Sequence, residues 1–118
     1  MIFIHDIFSF KPLVSLEVLN LSQNNLEQLD DPELFKTLTK LVYLNLGTNK
    51  ISSIHHETFK SLSSLRKLNL INNKIQRLER LELFASLINL EYLYLDDNIY
   101  KHPNLFDSIK KLKTNFKR

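Results

Sequence analysis

One pattern returns four times along this chain, at spacings of 25, 24 and 25 residues. It reads Leu16-x-x-Leu19-x-Leu21-x-x-Asn24-x-Leu26 and then Leu41-x-x-Leu44-x-Leu46-x-x-Asn49-x-Ile51. The third and fourth copies are Leu65-x-x-Leu68-x-Leu70-x-x-Asn73-x-Ile75 and Leu90-x-x-Leu93-x-Leu95-x-x-Asn98-x-Tyr100. Self-similarity at a fixed period of this size means a stack of like units, none of which can bury its apolar face alone.

Within one copy the spacing dictates the local backbone. Residues two apart share a face only in an extended chain, so Leu19 and Leu21 both reach a core only if each copy opens with a short strand. The asparagine at the ninth place carries two donors and an acceptor, enough to satisfy turn groups that lie outside any strand ladder. Asn24, Asn49, Asn73 and Asn98 are therefore expected to stack as a buried structural ladder. Past the turn the apolar places spread out, to Leu29, Phe35 and Leu38, then Ile54, Phe59 and Leu62, then Leu78, Phe84 and Leu87. These form the outer side, built of loops and helical turns. Asp31 and Pro32 read as N-cap and first residue of a short helix through Leu38, with another turn or two between Leu78 and Leu87.

The motif resembles the leucine-rich repeat family, typical 24–25-residue class, over nearly the whole chain. The resemblance implies an α/β solenoid of about four and a half repeats with a short parallel sheet on the concave face. It also implies a scaffold for protein–protein recognition, without naming the partner. The expected organisation is one domain: 1–15 a half-repeat or improvised N-terminal cap, 16–40, 41–64 and 65–89 full repeats, 90–103 a final strand and turn, and 104–118 a basic capping helix. In that last segment Leu105, Ile109, Leu112 and Phe116 form one stripe after Asn104 as N-cap. The start in mid-repeat fits either a cap or a piece of a longer protein. A helix after the last asparagine turn resembles the C-terminal cap of intracellular members, whereas the regular second copy resembles repeats common in extracellular receptors.

Charge is unevenly placed. Residues 101–118 carry six Lys/Arg against Asp107, while residues 1–100 carry ten Lys/Arg against twelve acids, so the net +3 belongs to the tail. With no cysteine there are no disulfides, thiolate metal sites or thiol nucleophiles. MIFIHDIFSF lacks a basic n-region and a small-residue cleavage motif, so no signal peptide or membrane span is read there. The compartment is left open: an intracellular setting is favoured for the chain as written, an extracellular one if it is a fragment of a larger receptor.

Strand places that alternate with the core leucines face outward on the concave side, and a protein-binding surface is expected there. It comprises Val18, Asn20, Ser22, Tyr43, Asn45, Thr48, Lys67, Asn69, Tyr92, Tyr94, Asp96 and Asp97. Tyrosine offers large contact area at low entropy cost and is enriched among interface hot spots. Asn20, Asn45 and Asn69 make a polar column that packing does not require. Asn20-Leu21-Ser22 also matches a glycosylation sequon, though on a strand rather than a free loop.

Other chemistry finds little footing. His55-His56-Glu57 has ligand types but no fourth group at zinc-like spacing, and Asp96-Asp97-Asn98 lacks the alternating oxygens of a calcium loop. Gly47 is the only glycine, so no phosphate-binding loop or nucleophile elbow exists, and His5, Asp6 and His102 join no triad. No enzyme activity, cofactor, metal or small-molecule substrate is expected. Lys110, Lys111, Lys113, Lys117 and Arg118 offer an alternative function, a nucleic-acid or anionic-membrane module, but a solvated helix face accounts for them more simply.

Overall fold

A computed structural model describes residues 13–76 and 82–98 of the protein. Four three-residue strands, β1 (Val18–Asn20), β3 (Tyr43–Asn45), β5 (Lys67–Asn69) and β6 (Tyr92–Tyr94), form a parallel sheet in the order β1-β3-β5-β6. Its register places each repeat over the next: Leu19 opposite Leu44, Leu44 opposite Leu68, and Leu68 opposite Leu93. Parallel neighbours one repeat apart are what a coil with a constant period must produce, because each turn of the chain returns to the same edge in the same direction.

The core sits on one side of this sheet. Leu44, Leu68 and Leu93 are fully buried, and Leu41, Leu46, Leu65 and Leu70 flank them with no exposure. Further out, Phe35, Phe59 and Phe84 hold the same place in successive coils and are buried as well, with the Phe35 and Phe59 rings stacked at 6.3 Å and 15°. Burial of an aromatic side chain stabilises by roughly 1.5–3 kcal/mol, so this column is the outer half of the core.

The outer side departs from the expected loops and helical turns. β2 (Gln28–Leu29) and β4 (Ser53–Ile54) pair as a second parallel ladder. Once the inner sheet fixes the coil spacing, the next extended residues lie within reach of their counterparts and their backbone groups pair. The segment after Asp31 is a run of turns, not the expected helix. Leu34, Lys36 and Leu38 donate backbone N–H groups to Asp31, Glu33 and Phe35, three residues back, and Asp31 Oδ1 accepts the Glu33 N–H at 2.8 Å. Asp31 thus caps as expected, but its turns never join into four-residue spacing. α1 (Glu82–Ala85) falls within the second segment expected to turn. Thr58 locks the outer side in a way its sequence context does not announce. Its buried hydroxyl donates to the Leu29 carbonyl of the preceding coil at 2.7 Å.

Asn49 shows how the ladder works. Its Oδ1 accepts from the Asn24 and Leu26 backbone N–H groups of the coil below, at 3.1 and 3.2 Å. Its Nδ2 donates to Leu46 and Gly47 in its own coil and to Leu21 in the coil below. Asn73 and Asn98 repeat the arrangement, accepting from Ile51 and Ile75 respectively, and Asn24 donates to Leu21 and Ser22. Asn49, Asn73 and Asn98 therefore each stitch two coils together.

The residue before each ladder asparagine is left-handed: Gln23, Thr48, Asn72 and Asp97 have φ of 57°, 53°, 57° and 59°. Only Asn72 and Asp97 are residue types that tolerate this backbone readily. Asn72, although exposed, is thus conformationally constrained. Asn72→Ala is expected to destabilise by about 1 kcal/mol and Asn72→Gly to be nearly neutral, as read from urea denaturation midpoints.

Candidate functional site

On the open side of the inner sheet the register assembles two rows. The first is Val18, Tyr43, Lys67 and Tyr92; the second is Asn20, Asn45, Asn69 and Tyr94. Both follow from alternation, since their neighbours Leu19, Leu44, Leu68 and Leu93 turn inward. Tyr43, Lys67, Tyr92 and Tyr94 are half-buried, while Val18 is 56% exposed at the N-terminal edge.

The aromatic residues engage one another and the lysine between them. Lys67 Nζ lies 5.2 Å from the Tyr43 ring centroid and 5.5 Å from that of Tyr92. Tyr92 and Tyr94 stack at 6.3 Å and 18°. A cation over a ring face at an exposed site contributes about 0.5–1 kcal/mol, so Tyr43 and Tyr92 take part in folding as well as facing outward. Beside this row Arg66 and Glu91 pair at 2.6 Å, and the Glu91 hydrogen bond holds the Arg66 guanidinium above its ordinary pKa. They hold the same place in successive coils, and that shared place is the signal that links them in the sequence.

The second row has a structural task that residue type alone did not reveal. Asn20, Asn45 and Asn69 each accept the backbone N–H two residues on, from Ser22, Gly47 and Ile71, at 3.0, 2.9 and 2.9 Å. Ser22 Oγ also donates to Asn20 Oδ1 at 2.6 Å. These side chains brace the exit of each strand, which corrects the reading of the column as free of structural demand. Gly47 fits beneath them: a Cβ there would lie 3.1 Å from Asn45 Oδ1 and 3.4 Å from Asn69 Nδ2. Ser22 is half-buried, and Thr48, Asp96 and Asp97 are exposed just past the strands of their coils.

The histidine cluster lies apart, on the outer side. His55 Nδ1 accepts the Glu57 N–H at 3.0 Å and stacks on His56 at 4.4 Å, while His56 Nε2 lies 3.5 Å from Glu57 Oε1. Lys60 bridges Glu57 at 3.1 Å and Glu33 at 3.8 Å, and its hydrogen bond keeps the exposed Glu57 carboxyl below its usual range. Both are surface pairs of the kind that contribute little. Among the described residues no three His, Cys, Asp or Glu side chains converge as metal ligands. His5, Asp6, Tyr100, His102 and the basic segment 104–118 lie outside the described residues.

A family profile described as Leucine rich repeat matches residues 39–99, and one described as Leucine Rich repeats (2 copies) matches residues 14–61. No curated protein sequence matches the chain. Among solved structures, a leucine-rich repeat protein of Leptospira interrogans is 31% identical over 86% of this chain, with a TM-score of 0.72. A chain of the Toll–Spatzle complex of Drosophila is 27% identical over 73%, with a TM-score of 0.67. A chain of the SNF/U2A′ complex of Drosophila melanogaster is 25% identical over 90%, with a TM-score of 0.70. The protein spans 24%, 13% and 60% of those three chains. With its parallel one-repeat register, its asparagine stitching and a profile match over residues 39–99, the chain belongs to the leucine-rich repeat family.

Proposed function

We propose that the protein is a protein-interaction module that binds a protein partner through the concave face of its four-stranded sheet. The observation that carries this reading is the row of Tyr43, Lys67, Tyr92 and Tyr94, half-buried on the open side of a sheet whose other side is filled by leucine. Large rings held in place by neighbours offer contact area with little entropy left to lose on binding. The similarity to chains solved within the Toll–Spatzle and SNF/U2A′ complexes supports a protein as the partner.

Changing Tyr43, Tyr92 and Tyr94 together to alanine is expected to weaken capture of such a protein partner at least about thirtyfold, the scale of one hot-spot residue. The circular dichroism spectrum should persist, with a modest drop in melting point from loss of the Lys67 contacts. Charge reversal of Lys110, Lys111 and Lys113 is the matched control and should alter mainly the salt dependence. Loss of binding in the lysine variant, with full binding in the tyrosine variant, would overturn this reading in favour of the basic segment.

A further inference from the structure

We propose that Lys67 is the specificity-determining residue of the concave face, and that the partner it selects presents an Asp or Glu carboxylate against it; this rests on the concave-face reading above. Lys67 stands in the first row between β3 and β6, and its ammonium is bracketed by the rings of Tyr43 at 5.2 Å and Tyr92 at 5.5 Å. Ring faces hold a cation in place and displace part of its water, yet they do not use its three N–H donors as a carboxylate would.

Among the described residues the concave side carries two cations, Arg66 and Lys67, and they differ in what they can still bind. Arg66 is already held by Glu91 at 2.6 Å. Lys67 has no acid partner among the described residues. A fixed, unneutralised positive charge thus sits near the middle of the sheet, with apolar rings on two sides. A partner carboxylate docking there meets a preorganised ammonium whose flanks exclude water, so the attraction is stronger than between two free surface charges. A basic side chain at the same spot meets like charge in a partly dry setting and is rejected.

The test uses random peptides displayed on phage, selected separately on the purified wild-type chain, on Lys67→Glu and on Lys67→Met. Wild-type selections are expected to share an Asp or Glu. Changing that residue to Lys should weaken binding to the wild type at least about tenfold and strengthen binding to Lys67→Glu by a similar factor, the reciprocal signature of one charge pair. Lys67→Met, which keeps a long apolar stem between the rings, should bind peptides without acid preference. Peptides that lose affinity for a Tyr94→Ala variant yet show neither acid preference nor charge swap would overturn the role of Lys67 and leave the concave-face reading standing. Peptides bound equally by the wild type, Tyr94→Ala and Lys67→Glu would overturn that reading, and this proposal with it.

Discussion

Replacing Phe59 with alanine is expected to destabilise the fold by about 3–5 kcal/mol, the range for truncating a fully buried aromatic ring. Phe59 has no exposure, and its ring stacks on Phe35 of the preceding coil at 6.3 Å. Phe84 holds the same place one coil on and is equally buried. Deleting the middle ring opens a cavity in the middle of the stack, and neither neighbour can collapse into it without tilting its own coil. In a solenoid each coil is stabilised only by the coils it touches, so the loss reaches both interfaces at once. Phe59→Leu, which retains most of the volume, should lose clearly less. Urea denaturation followed by circular dichroism reads both changes; a loss below about 1 kcal/mol for the alanine variant would mean the outer core is not packed as described.

Asn49→Leu is the second large effect, roughly 2–6 kcal/mol. Removing the side chain orphans the backbone N–H groups of Asn24 and Leu26, which both donate to Asn49 Oδ1. An unsatisfied buried donor costs roughly 1–3 kcal/mol, and there are two of them. The carbonyls fare better, because Leu21 still accepts from Asn24 Nδ2 and Leu46 from Asn73 Nδ2. Asn73 accepts from the single backbone donor Ile51, so Asn73→Leu should lose about half as much. Equal denaturation midpoints for the two variants would contradict this account of the ladder.

Much of this architecture was legible because the period of the repeat carries it. Strand places, parallel register and the leucines that turn inward all follow from Leu-x-x-Leu-x-Leu returning every 24–25 residues. What escaped depends on contacts between coils that residue type alone does not specify. The β2 and β4 ladder pairs Gln28 with Ser53 and Leu29 with Ile54; the apolar pair was legible as one repeat place, but its strand pairing arises only because the inner sheet has already set the spacing. The left-handed place before each ladder asparagine is occupied by Gln23 and Thr48 in the first two coils, residue types that give no hint of positive φ. At Asp31 the cap signal was real, but the turns that follow stay at three-residue spacing. On the concave face the tyrosines were visible from alternation. The bracket around Lys67 follows only when Tyr43, Lys67 and Tyr92 are read as one row, and the bracing role of Asn20, Asn45 and Asn69 appears only in their bonds to the backbone.

The central claim is that the open side of the inner sheet is where a protein partner docks. Hydroxyl-radical footprinting of the chain, free and saturated with a captured protein partner, tests it most directly, because tyrosine rings and histidines both label and lie on opposite sides of the solenoid. The account predicts that Tyr43, Tyr92 and Tyr94 lose labelling in the complex while His55 and His56 keep theirs. Protection of His55 and His56 with the three tyrosines labelled as in the free protein would contradict it.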